Sequence, residues 1–277
     1  MTLISLTDAL DLADTRGGAL AAFNVIQLEH AEAYAAASEA TGRPVVMQIS
    51  ENCVRYHRGL AGIAAGTLAI AAGCAQPVVV HLDHAEDLDL VAQAVGLGFT
   101  SVMYDGSMLP DQTNRATTAE VVRTCHRAGV SVEAELGEVG GKDGVHAPGA
   151  RTNPTDAARF VADTGVDALA VAVGSSHAMT SRVAALDEPL IAALHAQVPV
   201  PLVLHGSSGV PDEGLVGAVA AGMRKINIAT HLNRIFTEAM TGDLRRNPTV
   251  DPRKYLGAAR EATMQEAERL LRLLSGA

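Results

Sequence analysis

The chain has 277 residues, 48% of them hydrophobic but only 3% aromatic and none tryptophan, so one large core of Ala, Val, Leu and Ile is within reach and nothing in the composition suggests disorder. A formal net charge of -10, with lysine only at Lys142, Lys225 and Lys254, argues against nucleic acid or an anionic membrane as a bulk partner, although backbone amides can still hold a phosphate locally. Cys53, Cys74 and Cys125 are odd in number and show no CxxC or zinc-finger spacing, which reads as free thiols in a reducing, cytoplasmic setting.

The opening MTLISLTDALDLADTRGG lacks a basic leader and a long apolar run; Ser5 or Thr7 reads as a helix cap and Gly17 as the stop. Eight short β-rich runs follow: ALAAFNV (19–25), VVMQIS (45–50), VVVHLDH (78–84), SVMYDG (101–106), VSVEAELG (130–137), ALAVAVGSSH (168–177), PLVLHGSSG (201–209) and KINIAT (225–230). Several are continuously apolar, as parallel strands covered on both faces are. The stretches between them are alanine-rich and carry helix punctuation. Asn153 can cap, with Pro154 at the first helical position and Gly165 closing, and Pro211 and Gly222 bracket another helix. Eightfold alternation predicts an α/β fold, a (β/α)8 TIM-type barrel forming a single domain over 1–277 with a C-terminal helical extension; a doubly wound open sheet is the alternative.

Polar residues gather at the C-terminal ends of these strands: Asn24, Ser50, Asp83 with His84, Asp105, Glu133 with Glu135, His177, His205, and Asn227 with Thr230. In a barrel those ends share one mouth, where the fold places its chemistry. Of the ten histidines, His30, His57, His126, His146, His195 and His231 fall on expected helices or loops and read as solvated or locally bonded. His84, His177 and His205 each end a different strand. Singly each would be structural, but three imidazoles from three strands can hold a metal with open positions. His81, three residues before His84, falls on the opposite face of a regular strand, as packing or support.

Asp83 also points away from His84 if the strand stays regular. A turn at the strand end would swing it over the mouth as a general acid/base; otherwise it orients His81 or caps the next helix. Glu135 offers an alternative metal position, while Glu133 and Asp105 either orient histidine ligands or form an ordinary buried ion pair. HGSSGVP (205–211) and NIAT (227–230) place small residues after strands seven and eight, the usual phosphate cradle of this fold. The glycine-rich run at 137–154 reads as a lid over the mouth or a loose surface loop. Lys225 opens its strand about 16 Å below Thr230, at roughly 3.3 Å per residue, so a Schiff-base lysine is expected at the wrong end of the barrel.

Taken in order, HLDH, VEAELG followed by GG, VGSSH, LHGSSG and KINIAT resemble the class II, zinc-dependent ketose-bisphosphate aldolases of the fructose- and tagatose-bisphosphate type, from AFNV (22–25) through DPRKYL (251–256). The resemblance implies one catalytic zinc ion (Zn2+) per subunit held by His84, His177 and His205, with Glu135 as an auxiliary ligand. It implies Asp83 as the acid/base acting on the C4 hydroxyl of a phosphorylated ketose. Gly206, Ser207, Ser208, Asn227, Ile228, Ala229 and Thr230 correspond to the cradle for the dihydroxyacetone phosphate moiety. A monovalent cation (Na+ or K+) near the phosphate and a homodimer or homotetramer are implied as well, with neither nucleic acid nor membrane as partner. Two departures stand out. Ala178 occupies a glycine position of the phosphate site, and the lid sequence GGKDG (140–144) carries Lys142 and leaves only Asp143 as a candidate for a proton-moving lid glutamate. A metal-dependent sugar-phosphate epimerase or hydrolase, or a catalytically weak sugar-phosphate-binding homologue, would draw on the same residues.

Overall fold

Leu20 pairs with Lys225 and Ala22 with Val46, so the first strand is hydrogen-bonded to the second on one side and to the last on the other. The computed structural model describes residues 2–15, 17–136, 151–176 and 181–276. Its eight strands are all parallel and close in chain order, which excludes the open sheet. They are β1 (Leu20–Asn24), β2 (Val45–Ser50), β3 (Val78–Ala85), β4 (Ser101–Tyr104), β5 (Ser131–Glu135), β6 (Ala168–Ala170), β7 (Leu202–Leu204) and β8 (Met223–Ile228). β6 and β7 are much shorter than their apolar runs suggest. The chain beyond each leaves the sheet to build the mouth.

The helices are α1 (Leu6–Asp14), α2 (Leu28–Thr41), α3 (Glu51–His57), α4 (Ala61–Gly73), α5 (Leu88–Leu97), α6 (Asp111–Arg127), α7 (Pro154–Thr164), α8 (Glu188–Gln197), α9 (Asp212–Ala221), α10 (Thr230–Arg246) and α11 (Pro252–Leu274). Asn153 starts α7 as its residue type predicts: Oδ1 accepts from the amides of Thr155 at 2.9 Å and Asp156 at 3.2 Å. Gly165 ends that helix in the left-handed conformation. Pro211 stands one position before α9 and Gly222 closes it. Ser5, not Thr7, caps α1, and the helix ends at Asp14 with Thr15 as its C-cap, short of Gly17.

Strand alternation divides the core in two. One face of each strand packs against the surrounding helices in the larger apolar layer. The other faces into the barrel, where Leu20, Val46, Val79, Met103, Ala168 and Val203 fill the lower part and Leu6, Ala9, Leu10 and Ala13 of α1 plug the floor. Higher up the same inward positions turn polar: Gln48 follows Val46, His81 and Asp83 follow Val79, and Glu133 and Glu135 follow Ser131. α11 lies against α2 and α10 and returns to the base of β1, where the Ala19 amide donates to Leu274 O at 2.7 Å.

Candidate active site

β3 does not stay regular at its end. His81 pairs with Ser101 and Leu82 with Val102, but Ala85 pairs with Tyr104, so Asp83 and His84 together oppose the single residue Met103. The irregularity is a β-bulge, a device that re-aims one side chain, and His84 absorbs it with a left-handed backbone at φ 50°. Asp83 therefore keeps the inward face it shares with His81, and His84 is the residue swung over the mouth. This reverses the expectation that Asp83 would have to turn.

The bulge brings His84 Nε2 to 2.9 Å from His205 Nδ1, where β7 ends. The far nitrogen of each ring meets a carboxyl: His84 Nδ1 lies 2.8 Å from Asp105 Oδ2, and His205 Nε2 lies 2.9 Å from Glu133 Oε1. With the outer nitrogens turned to carboxyls, Nε2 of His84 and Nδ1 of His205 are the ring atoms presented toward the mouth, where they can serve as ligands to a cation. Ligand atoms of Asp83, His84 and His205 lie within 4.8 Å of one another, as do those of His84, Asp105 and Glu135. This donor set of imidazole and carboxylate fits a divalent ion such as zinc. His177 and Ala178 lie outside the described residues, as do Lys142, Asp143 and His146 of the glycine-rich loop.

The electrostatics favour a cation as well. Burial opposes charge on His84, but Asp83, Asp105 and Glu135 outweigh it and raise the imidazole to about 9. Burial raises the carboxyl of Asp83 above its ordinary value, against the pull of His84 and Lys225. His81 goes the other way: buried and repelled by Lys225, it is held well below the usual imidazole range. It is a neutral support, with Nδ1 2.8 Å from Ser101 Oγ.

Asp83 is 3% exposed and held from one side only. Its Oδ2 faces Gln48 Nε2 at 3.4 Å and Asn24 Nδ2 at 3.5 Å, and Gln48 Nε2 also donates to Asn24 Oδ1 at 2.7 Å. Its Oδ1 has no hydrogen-bond partner among the described residues, and Asp83 lines a cavity of about 170 Å³. Asn24, Gln48, Ser50 and Asn52 form one wall of that cavity; Gly206, Ser208, Ala229 and Thr230 form the other. Gln48 and Asn52 were not singled out in the sequence. The inward register of Gln48, between Val46 and Ser50, is the signal that identifies it.

Across the mouth, residues 207–209 make one 3-10 turn. Ser207 Oγ donates to Asn227 O, so this hydroxyl ties the β7 loop to β8. Ser208 Oγ accepts from the amides of Ala229 at 3.3 Å and His231 at 3.2 Å, which leaves its own proton for an acceptor in the cavity. Gly206 has φ 67°, and a Cβ there would stand 2.6 Å from the Ser176 carbonyl carbon. Neither Ser207 nor Ile228 lines the cavity; the Ile228 side chain packs into the outer apolar layer.

Lys225 departs from expectation. Its backbone is at the base of β8, but its side chain climbs inside the barrel, fully buried, to put Nζ 2.8 Å from Glu133 Oε2 and 2.8 Å from Asn227 Oδ1. The amine is thus directly beneath the mouth, not at the wrong end, and is held in an ion pair there.

Such a barrel, with paired imidazoles, a buried carboxyl and a loop of small residues at one mouth, is the architecture of a (β/α)8 enzyme. The sequence profile of the class-II fructose-bisphosphate aldolases matches residues 4–277, and the chain belongs to that family: it is an aldolase, a carbon–carbon lyase. A relative from Bacillus subtilis (strain 168), named a probable fructose-bisphosphate aldolase, is 39% identical over 267 residues, 95% of this chain and 94% of its own. The crystal structure of the YdjI aldolase from Escherichia coli K12 superposes with a TM-score of 0.87 at 29% identity, covering 98% of this chain and 97% of that one. Fructose-bisphosphate aldolase from Campylobacter jejuni shares the fold, with a TM-score of 0.84 at 23% identity over 98% of this chain and 95% of its own. Among the described residues no helix is long and apolar enough to cross a membrane.

Proposed function

We propose that the protein is a zinc-dependent aldolase that breaks and forms the C3–C4 bond of a phosphorylated ketose, of the fructose 1,6-bisphosphate or tagatose 1,6-bisphosphate type, giving dihydroxyacetone phosphate and an aldehyde. The observation that carries this reading is the pair of opposed imidazole nitrogens of His84 and His205, each ring braced from behind by a carboxyl, one residue from a buried aspartate with an unbonded oxygen. His84 and His205 would hold the metal together with His177, whose place in the family pattern supplies the third ligand. Glu135 is the auxiliary position. A bound divalent ion supplies Lewis-acid polarisation of the ketone, worth several kcal/mol in this class of reaction.

The chain's own groups do the rest. Asp83 takes the C4 hydroxyl proton as the C3–C4 bond breaks and returns it in condensation; a carboxyl whose proton affinity is raised by burial is the stronger base for this. Asn24 and Gln48 fix that carboxyl by Oδ2, so that Oδ1 faces the substrate. Gly206, Ser208 with its hydroxyl, Asn227, Ala229 and Thr230 hold the phosphate, with Ser207 and Ile228 shaping the two loops from behind and Ala178 on the same site by the family pattern. A monovalent cation beside the phosphate, a homodimeric or homotetrameric assembly and a cytoplasmic setting complete the reading; three buried free thiols suit the last.

The test is an activity panel of the zinc-loaded protein on fructose and tagatose 1,6-bisphosphates, repeated after chelation and with borohydride present. Activity lost to the chelator and indifferent to borohydride is expected. Ketose conversion without carbon–carbon cleavage would overturn the reading in favour of an epimerase or hydrolase.

A further inference from the structure

Asn227 lines the cavity, and its orientation is decided from below. A lysine amine donates hydrogen bonds and accepts none when protonated, so the amide atom 2.8 Å from Lys225 Nζ is the oxygen. The NH2 end of Asn227 is thereby turned upward. There Nδ2 lies 3.2 Å from His205 Nε2, but that ring nitrogen also faces Glu133 Oε1 at 2.9 Å. When His205 presents Nδ1 as a lone pair toward His84, Nε2 carries the proton and gives it to Glu133, and the ring offers Asn227 no acceptor. The two amide hydrogens are then available as donors at the mouth, alongside the Ser208 hydroxyl, beside the position where on the aldolase reading charge develops as the C3–C4 bond breaks.

We propose that Lys225 is a positioning residue for the aldolase reaction: from inside the barrel it fixes the Asn227 amide with its N–H donors toward the substrate, and through Glu133 it steadies His205 in the same stroke. This rests on reading the mouth as a dihydroxyacetone phosphate site. Lys225 touches no substrate; it acts through Asn227. A donor pre-aimed at developing charge needs no reorganisation at the moment of reaction, whereas an amide free to flip presents its oxygen there part of the time.

The test uses the zinc-loaded full chain and a half-reaction that needs no aldehyde: exchange of the C3 proton of dihydroxyacetone phosphate with deuterium oxide, followed by NMR. Zinc content and melting temperature are read alongside. Lys225→Met and Asn227→Ala are each expected to slow exchange per bound zinc by about tenfold or more, and the double variant by no more than about twofold beyond Asn227→Ala. Asn227→Asp keeps the shape and the lysine contact but places oxygen where the NH2 faced. It is expected to lose as much as Asn227→Ala at an unchanged melting temperature, and it decides the matter should Lys225→Met not fold or not retain zinc. Losses that multiply in the double variant, a Lys225→Met protein with full exchange per zinc, or an Asn227→Asp protein with near-native exchange would each overturn the assignment of Lys225 while leaving the aldolase reading intact. A wild-type protein that binds zinc yet exchanges no proton would overturn that reading and this inference together.

Discussion

His84 Nε2 and His205 Nδ1 face one another at 2.9 Å, and neither ring can turn away because Asp105 and Glu133 grip the opposite nitrogens. Asp105 is itself fixed, accepting from the Ser107 amide at 3.2 Å and the Ser107 hydroxyl at 2.7 Å. Carboxyls that orient imidazole ligands commonly contribute about 10–100-fold in metal affinity. Asp105→Asn is therefore expected to weaken zinc retention by about that factor while the barrel stays folded. Competition against a chromogenic chelator measures it; unaltered affinity would leave Asp105 no part in holding the ion. Glu133→Gln is the harsher change, because it also breaks the buried pair with Lys225, and removing one partner of such a pair is destabilising by about 3–5 kcal/mol.

Asp83→Ala removes a cavity-lining carboxyl whose Oδ1 has no hydrogen-bond partner among the described residues. The expected result is a fall in cleavage rate of about 10²–10⁴-fold, the usual contribution of a general acid/base, with zinc content intact. Steady-state rates normalised to bound metal make the comparison. Turnover that survives the substitution would remove Asp83 from the proton transfer.

The barrel was legible because its signals are local: apolar runs, alanine-rich spacers and caps such as Asn153 each act within a few residues. The mouth was legible as a set for the same reason, since Asp83, His84, Glu133, Glu135 and His205 all end apolar runs. What the residues alone could not give was direction. Strand alternation puts Asp83 and His84 on opposite faces, and only the pairing of β3 with β4 reveals the bulge that reconciles them. Lys225 was misplaced because its height was judged from its backbone, whereas a lysine side chain spans several ångströms and can climb an interior whose floor is apolar.

Gly206 and Gly42 separate two effects that glycine usually combines. Both have positive φ, 67° and 66°, but a Cβ at position 42 meets nothing within 4 Å, whereas at position 206 it collides with the backbone of Ser176. Gly42→Ala should show only the left-handed strain, about 1–2 kcal/mol. Gly206→Ala adds a clash that only a shift of main chain relieves, and that main chain leads directly to His177. A larger drop in melting temperature than for Gly42→Ala is expected, accompanied by loss of phosphate-dependent substrate binding. Equal drops would show that the loop yields freely at Ser176.

Glu266 connects stability to the cradle. Its carboxyl meets His231 Nε2 at 2.6 Å and Arg269 Nη2 at 2.7 Å, and the amide of that same His231 donates to Ser208 Oγ. Burial works against its charge, but His231 and Arg269 prevail and draw the carboxyl from 4.5 down to about 2. A carboxyl whose folded value lies below its unfolded one contributes stability that is full above the unfolded value and is lost as pH falls through the folded one. The wild-type protein should therefore exceed Glu266→Gln in stability at pH 7, with the gap narrowing as pH drops from about 4.5 toward 2. Denaturant unfolding of both proteins across that range reads the difference. A gap that stays constant with pH would mean that Glu266 acts through packing and hydrogen bonding of a neutral side chain, and that its charge contributes nothing to seating His231 under Ser208.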